Sequence, residues 1–102
     1  MKFSDLNFQP HSNYPDTGIG ARQFFQNGYG VSVVRFTTPF GSGPFGSGSY
    51  GSEEGLYELA VIKGTEEDWN ICYDTYITSD VLGHLTTEEV EVLLSQVENL
   101  TI

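Results

Sequence analysis

Hydrophobic and polar positions alternate most regularly over residues 55–77, GLYELAVIKGTEEDWNICYDTYI. The alternation predicts two strands joined by a short acidic turn. In the second, Trp69, Ile71, Tyr73, Thr75 and Ile77 fall on one side and Asn70, Cys72, Asp74 and Tyr76 on the other. That period of two predicts a strand with one buried face. The first strand puts Tyr57, Leu59 and Val61 on one face and Leu56, Ala60 and Ile62 on the other, interrupted by Glu58. A strand apolar on both sides is expected in the middle of a sheet or beneath a helix.

Two further apolar runs, 21–26 and 29–36, flank Asn27-Gly28. Asn-Gly between such runs predicts a tight hairpin through a type I′ turn, which needs positive φ at both central residues. Gly30 is a candidate bulge position. Ahead of this hairpin, Pro10, Pro15, Gly18 and Gly20 predict irregular chain, with Phe3, Leu6 and Phe8 as a short strand or an arm laid on the core.

The strongest helix signature lies near the C-terminus. Thr86 and Glu89 form a capping box, and Leu85 and Val90 stand in the positions of a hydrophobic staple. Val90, Leu93, Leu94, Val97 and Leu100 recur at helical spacing as a buried stripe. Glu88, Glu91, Ser95 and Glu98 form a second, polar stripe, expected to be exposed and uninvolved in the core. The preceding segment, residues 81–85, VLGHL, is expected as a short turn or helix limited by Gly83.

Together these elements predict an α+β fold, an antiparallel sheet of about four strands (21–26, 29–36, 55–63 and 69–77) with one C-terminal helix, 86–99, packed on it. The short connections favour a meander. A length of 102 residues allows a single domain with one core. The exception to regular patterning is 37–54, where Pro39-Phe40-Gly41-Ser42-Gly43 is followed at once by a copy, Pro44-Phe45-Gly46-Ser47-Gly48. Gly and Ser at this density predict a flexible loop. It is either a plain connection or a mobile segment that presents Phe40, Phe45 and Tyr50 to a partner.

Charge changes the picture more than composition does. Residues 1–52 carry Asp5 and Asp16 against Lys2, Arg22 and Arg35, a net of +1. Residues 53–102 carry twelve acids against Lys63 alone, a net of −11. Such a field repels phosphates and anionic lipid surfaces, so direct nucleic-acid binding and membrane binding are not expected. No stretch is long and apolar enough for a leader peptide or a membrane span.

Candidate chemistry is sparse. Cys72 is the single cysteine, which allows neither an internal disulfide nor a cysteine-based zinc site. His11 and His84 are the two histidines; Cys72 with His84 makes a nucleophile pair only if the fold joins them, and no third orienting group is indicated. Phosphate-loop and EF-hand patterns are absent. The expectation is a non-enzymatic protein with no cofactor and no resident metal. What remains is the acidic set: Glu53 and Glu54; Glu66, Glu67 and Asp68; and the stripe Glu88, Glu91 and Glu98. These carboxylates are either a solvated, solubilising surface or an imitation of spaced phosphates that occupies a basic groove on a partner.

The runs GYGVSVVRF, GLYELAVI and NICYDTYITSDVLGHLTTEEVEVLL resemble, in that order, a group of small phage-encoded proteins. The resemblance spans roughly residues 24–100. It departs at Tyr76, where the group carries proline, and in the duplicated PFGSG loop. It implies a setting in the cytoplasm of an infected bacterium and transfers no catalytic residue. By analogy with small acidic phage proteins, the expected partner is a bacterial host protein with a basic surface. The expected outcome is inhibition of a defence system of the CRISPR or restriction kind. The alternative is a structural or accessory virion protein that self-associates.

Overall fold

The computed structural model describes residues 1–11, 15–36, 55–73, 75, 77 and 82–100. The architecture is α+β: an antiparallel sheet with one C-terminal helix packed on it. The strands are β1 (Gln9–Pro10), β2 (Gly18–Phe24), β3 (Tyr29–Phe36), β4 (Tyr57–Gly64), β5 (Trp69–Ile71) and β6 (Leu82–Leu85), and the helix is α1 (Thr87–Glu98). The sheet runs β1-β2-β3-β4, and β5 and β6 both pair with β4 beyond it. The described sheet therefore has six strands where the sequence predicts about four.

β4 takes the central place its two apolar faces predict. Leu59, Val61 and Ile62 are fully buried, and Ala60 nearly so. Pairing of Val33 with Leu59 and of Val31 with Val61 lines up one apolar row across β3 and β4. On this row α1 lays Val90, Leu94 and Val97, all fully buried. Each such side chain contributes about 1.5–3 kcal/mol of transfer free energy. The helix starts as predicted. The Glu89 N–H donates to the Thr86 hydroxyl at 3.2 Å, and the Thr86 N–H to Glu89 Oε1 at 3.0 Å.

The far edge of β4 departs from the prediction. The strand expected over 69–77 stops at Ile71, and 82–85, expected as a turn or helix, is a strand on that same edge. β5 pairs with the end of β4 (Ile62 with Ile71) and β6 with its start (Tyr57 with Leu85, Leu59 with Leu82). The edge is thus shared by two short strands. β6 carries a bulge between its pairs, and His84 there has a φ of 56°. Burial along β5 and the residues after it follows the expected alternation only in part: Trp69 is half-buried and Ile77 packs against the core. Ile71 and Tyr73 are 39% and 51% exposed, while Cys72 is packed against the core. Cys72 follows Val61 in register, its N–H donating to the Val61 carbonyl at 2.7 Å, and so faces the helix.

The β2–β3 connection sits at Asn27-Gly28 but is not a type I′ turn. Phe25 and Tyr29 close it, with the Phe25 N–H donating to the Tyr29 carbonyl at 2.8 Å, and only Gly28 has positive φ (87°). This is a longer loop ending on a left-handed glycine. Gly30 is no bulge: it pairs regularly with Phe24 and Ile62. A Cβ there would collide with the Gln23 carbonyl, so the strands approach too closely for any other residue.

Residues 1–11 form an arm. A 3-10 turn, Phe3–Asp5, and the buried Leu6 lead into β1. Phe3, Phe8 and Tyr57 cluster with ring centroids 5.2–5.7 Å apart. β1 is an edge strand, a place that tolerates Pro10 because no ladder donor is needed there.

Candidate partner-binding surface

The predicted acidic residues fall into separate places. Glu66, Glu67 and Asp68 form the exposed β4–β5 turn, closed by reciprocal backbone bonds between Thr65 and Asp68 at 3.0 and 3.2 Å. The helical stripe is exposed and outside the core, as predicted, but two of its members bind the N-terminal arm. Glu91 Oε1 accepts the Phe3 N–H at 2.7 Å, and Glu98 Oε1 lies 3.2 Å from the Met1 amino group. Those two carboxylates hold the N-terminal arm against α1. Glu88 keeps an ionised carboxylate, with its pKa held below the usual range by its own backbone N–H and then by the Thr87 hydroxyl. Glu53, Glu54, Phe40, Phe45 and Tyr50 lie outside the described residues.

Position along the sheet separates these groups. The β4–β5 turn adjoins the β2–β3 loop, since the Gly64 N–H donates to the Gly28 carbonyl at 3.0 Å. That loop in turn meets the C-terminal end of α1 through Asn27. Glu88 stands at the N-terminal end of α1, beside β6 and the start of β4. The length of β4, roughly 25 Å, divides the two ends.

Cations are distributed differently. Arg22 lies over the Trp69 ring at 5.3 Å, Arg35 over Tyr57 at 4.9 Å and Lys63 over Tyr29 at 5.3 Å. Arg35 also donates to the Gly55 carbonyl and the Tyr57 hydroxyl, each at 3.3 Å. Arg22 reaches Glu66 at 3.6 Å. Three of the four cationic side chains are therefore held against aromatic rings within the molecule, whereas among the described residues Glu67, Asp68 and Glu88 are exposed and form no ion pair.

On the sheet face away from α1 lies an open hollow of about 570 Å³. Its walls include Trp69, Arg22, Glu66, Ser32, Gln9 and His11. The residues come from β1 and its flanks, β2, β3, the β4–β5 turn and the start of β5, brought together by the pairing of Gln9 with Gly20 and of Arg22 with Ser32. Burial lowers the His11 pKa, and its ring lies 4.3 Å from that of Phe36. Sequence reasoning did not single out this constellation. The one available signal was a lone Trp directly after the acidic run; Arg22, Ser32 and Gln9 needed the strand register.

Among the described residues, no three His, Cys, Asp or Glu side chains gather as a metal-binding group. None of the described helices is long and apolar enough to cross a membrane. Compared with known protein families, curated proteins and solved structures, the chain gives no match.

Proposed function

We propose that this chain is a phage-type binding protein that acts in the bacterial host cytoplasm. It seats its carboxylate-rich surface on a basic host protein, one that handles nucleic acid, and inhibits it in the manner of an anti-CRISPR or anti-restriction factor. One observation carries the reading: Arg22, Arg35 and Lys63 are each held over an aromatic ring, whereas among the described residues Glu67, Asp68 and Glu88 are exposed and form no ion pair. A surface of that sign repels nucleic acid, competes with it for basic grooves and steers basic partners by long-range attraction. The order of sequence motifs shared with small phage proteins supports the setting.

Affinity purification from defence-bearing bacteria, followed by association kinetics at low and high salt, tests the reading. The expected result is a captured nucleic-acid-handling complex, with association that slows steeply as salt rises and is lost to competing DNA. Capture of no such complex, or association indifferent to salt, overturns it. The alternative is a virion accessory protein that self-associates. It draws support from Ile71 and Tyr73, exposed on the outer β5 side of the sheet. Concentration-dependent sedimentation of the isolated protein separates the two.

A further inference from the structure

The hollow on the helix-free face already holds a cation in the form of Arg22. Its guanidinium lies 5.3 Å from the centre of the Trp69 ring and 3.6 Å from Glu66 Oε1. Both charged side chains remain substantially exposed, 45% for Arg22 and 67% for Glu66. The contact is therefore loose and solvent-screened, of the kind that contributes little to folding. Trp offers a cation the strongest of the aromatic faces. Ser32, Asn7 and Gln9 add neutral hydrogen-bonding groups around the same space. Gln9 and Asn7 are themselves linked, with Gln9 Nε2 donating to Asn7 Oδ1 at 3.1 Å. The hollow is thus a walled site with an aromatic face, a carboxylate and amide groups, and a replaceable guanidinium in place. A net charge of −10 disfavours an anionic occupant.

We infer that this hollow is the anchor site for an arginine side chain of the basic partner, which displaces Arg22 from Trp69 and Glu66. The inference rests on the proposed function for the existence of a basic partner. It adds where that partner is gripped, on a face other than the one covered by α1. Arg22 is then an internal competitor that keeps the site ordered until a partner's guanidinium arrives. A planar guanidinium fits better than an ammonium, because it stacks on the indole while directing its N–H groups to Glu66 and the amides.

Trp69 is the only tryptophan in the chain, so its fluorescence reports on this site alone. The test titrates the protein with acetylated Gly-Arg-Gly-Arg-Gly and with its lysine and glutamine counterparts. The arginine peptide is expected to change Trp69 emission saturably, more tightly than the lysine peptide, with no response to the glutamine peptide. The Arg22→Gln variant should bind the arginine peptide about threefold or more tightly, because the competitor is gone. Glu66→Gln should weaken it. Lys63→Gln removes the same charge from the opposite, helix-bearing face, where Lys63 lies over Tyr29, and is the control for general charge. Equal gains for Arg22→Gln and Lys63→Gln, or equal responses to the arginine and glutamine peptides, overturn the anchor site. A captured host complex whose salt-dependent binding is unchanged in Trp69→Phe and Glu66→Gln also overturns it while leaving the proposed function standing.

Discussion

The side-chain amide of Asn27 donates to the carbonyl of Val97 at 2.9 Å, across seventy residues of sequence. The same nitrogen lies within 3.2 Å of the Glu98 and 3.0 Å of the Leu100 carbonyl, and the Asn27 carbonyl oxygen accepts the Tyr29 N–H at 3.0 Å. The last carbonyls of a helix lack intrahelical partners, and here a hairpin side chain supplies one. Asn27→Ala should therefore remove a helix cap and a turn contact together. The expected loss is about 2 kcal/mol, within the range for leaving buried polar groups unpaired. Urea denaturation checks it, and α1 should lose amide protection at its C-terminal end first.

At the other end of α1 the cap is local. Thr86→Ala should cost about 1 kcal/mol, the usual effect of deleting a hydroxyl N-cap. Thr86→Ser, which retains the acceptor, should recover most of it. Thermal unfolding of the two variants side by side decides this.

Leu94 is fully buried against the sheet, whereas Val92, two residues earlier on the helix, is 58% exposed. Leu94→Ala should destabilise by about 3 kcal/mol through lost transfer energy and the cavity left behind. Val92→Ala should stay within about 0.5 kcal/mol. Equal losses at both sites would refute the helix orientation.

The acidic stripe should split when its members are changed one at a time. Glu88→Gln removes an exposed charge bonded only within the first turn of α1 and should leave the arm undisturbed. Glu91→Ala removes the acceptor for the Phe3 N–H, so the arm should loosen, with faster exchange of that amide and a stability loss of about 1 kcal/mol. Glu91→Gln retains an acceptor oxygen and should fall between them. Amide exchange at Phe3 is the direct readout.

Acid titration should reveal His11. Burial lowers its pKa in the folded state from 6.5, so the unfolded chain takes up the proton first as pH falls. Its contribution to stability is full above pH 6.5 and is lost as pH drops from there toward the lowered folded value. Stability measured from pH 7.5 to 5 should therefore fall more steeply in the wild type than in His11→Gln. The comparison cancels the general relief of carboxylate repulsion on acidification, which both proteins share. Parallel curves would show that His11 protonates equally well folded and unfolded.

Sequence by itself determined what depends on neighbours in the chain. The capping box at Thr86 and Glu89, the Val90/Leu94/Val97 stripe and the two-faced burial of β4 were all legible, because capping spans one turn and periodicity spans one element. The position of the β2–β3 loop was legible too, though not its geometry, since Asn27 is recruited by the helix terminus rather than by a type I′ turn. Tertiary structure decided the rest. Ile71 and Tyr73 look like a buried face until β5 ends and β6 takes over the edge of β4, which leaves them outward. Glu91 and Glu98 look like free surface charges until the N-terminal arm docks on them. Arg22, Glu66 and Trp69 carry no common signature along the chain. They meet because strand register fixes which side of the sheet each side chain leaves from, and register is set by long-range pairing that no local window contains.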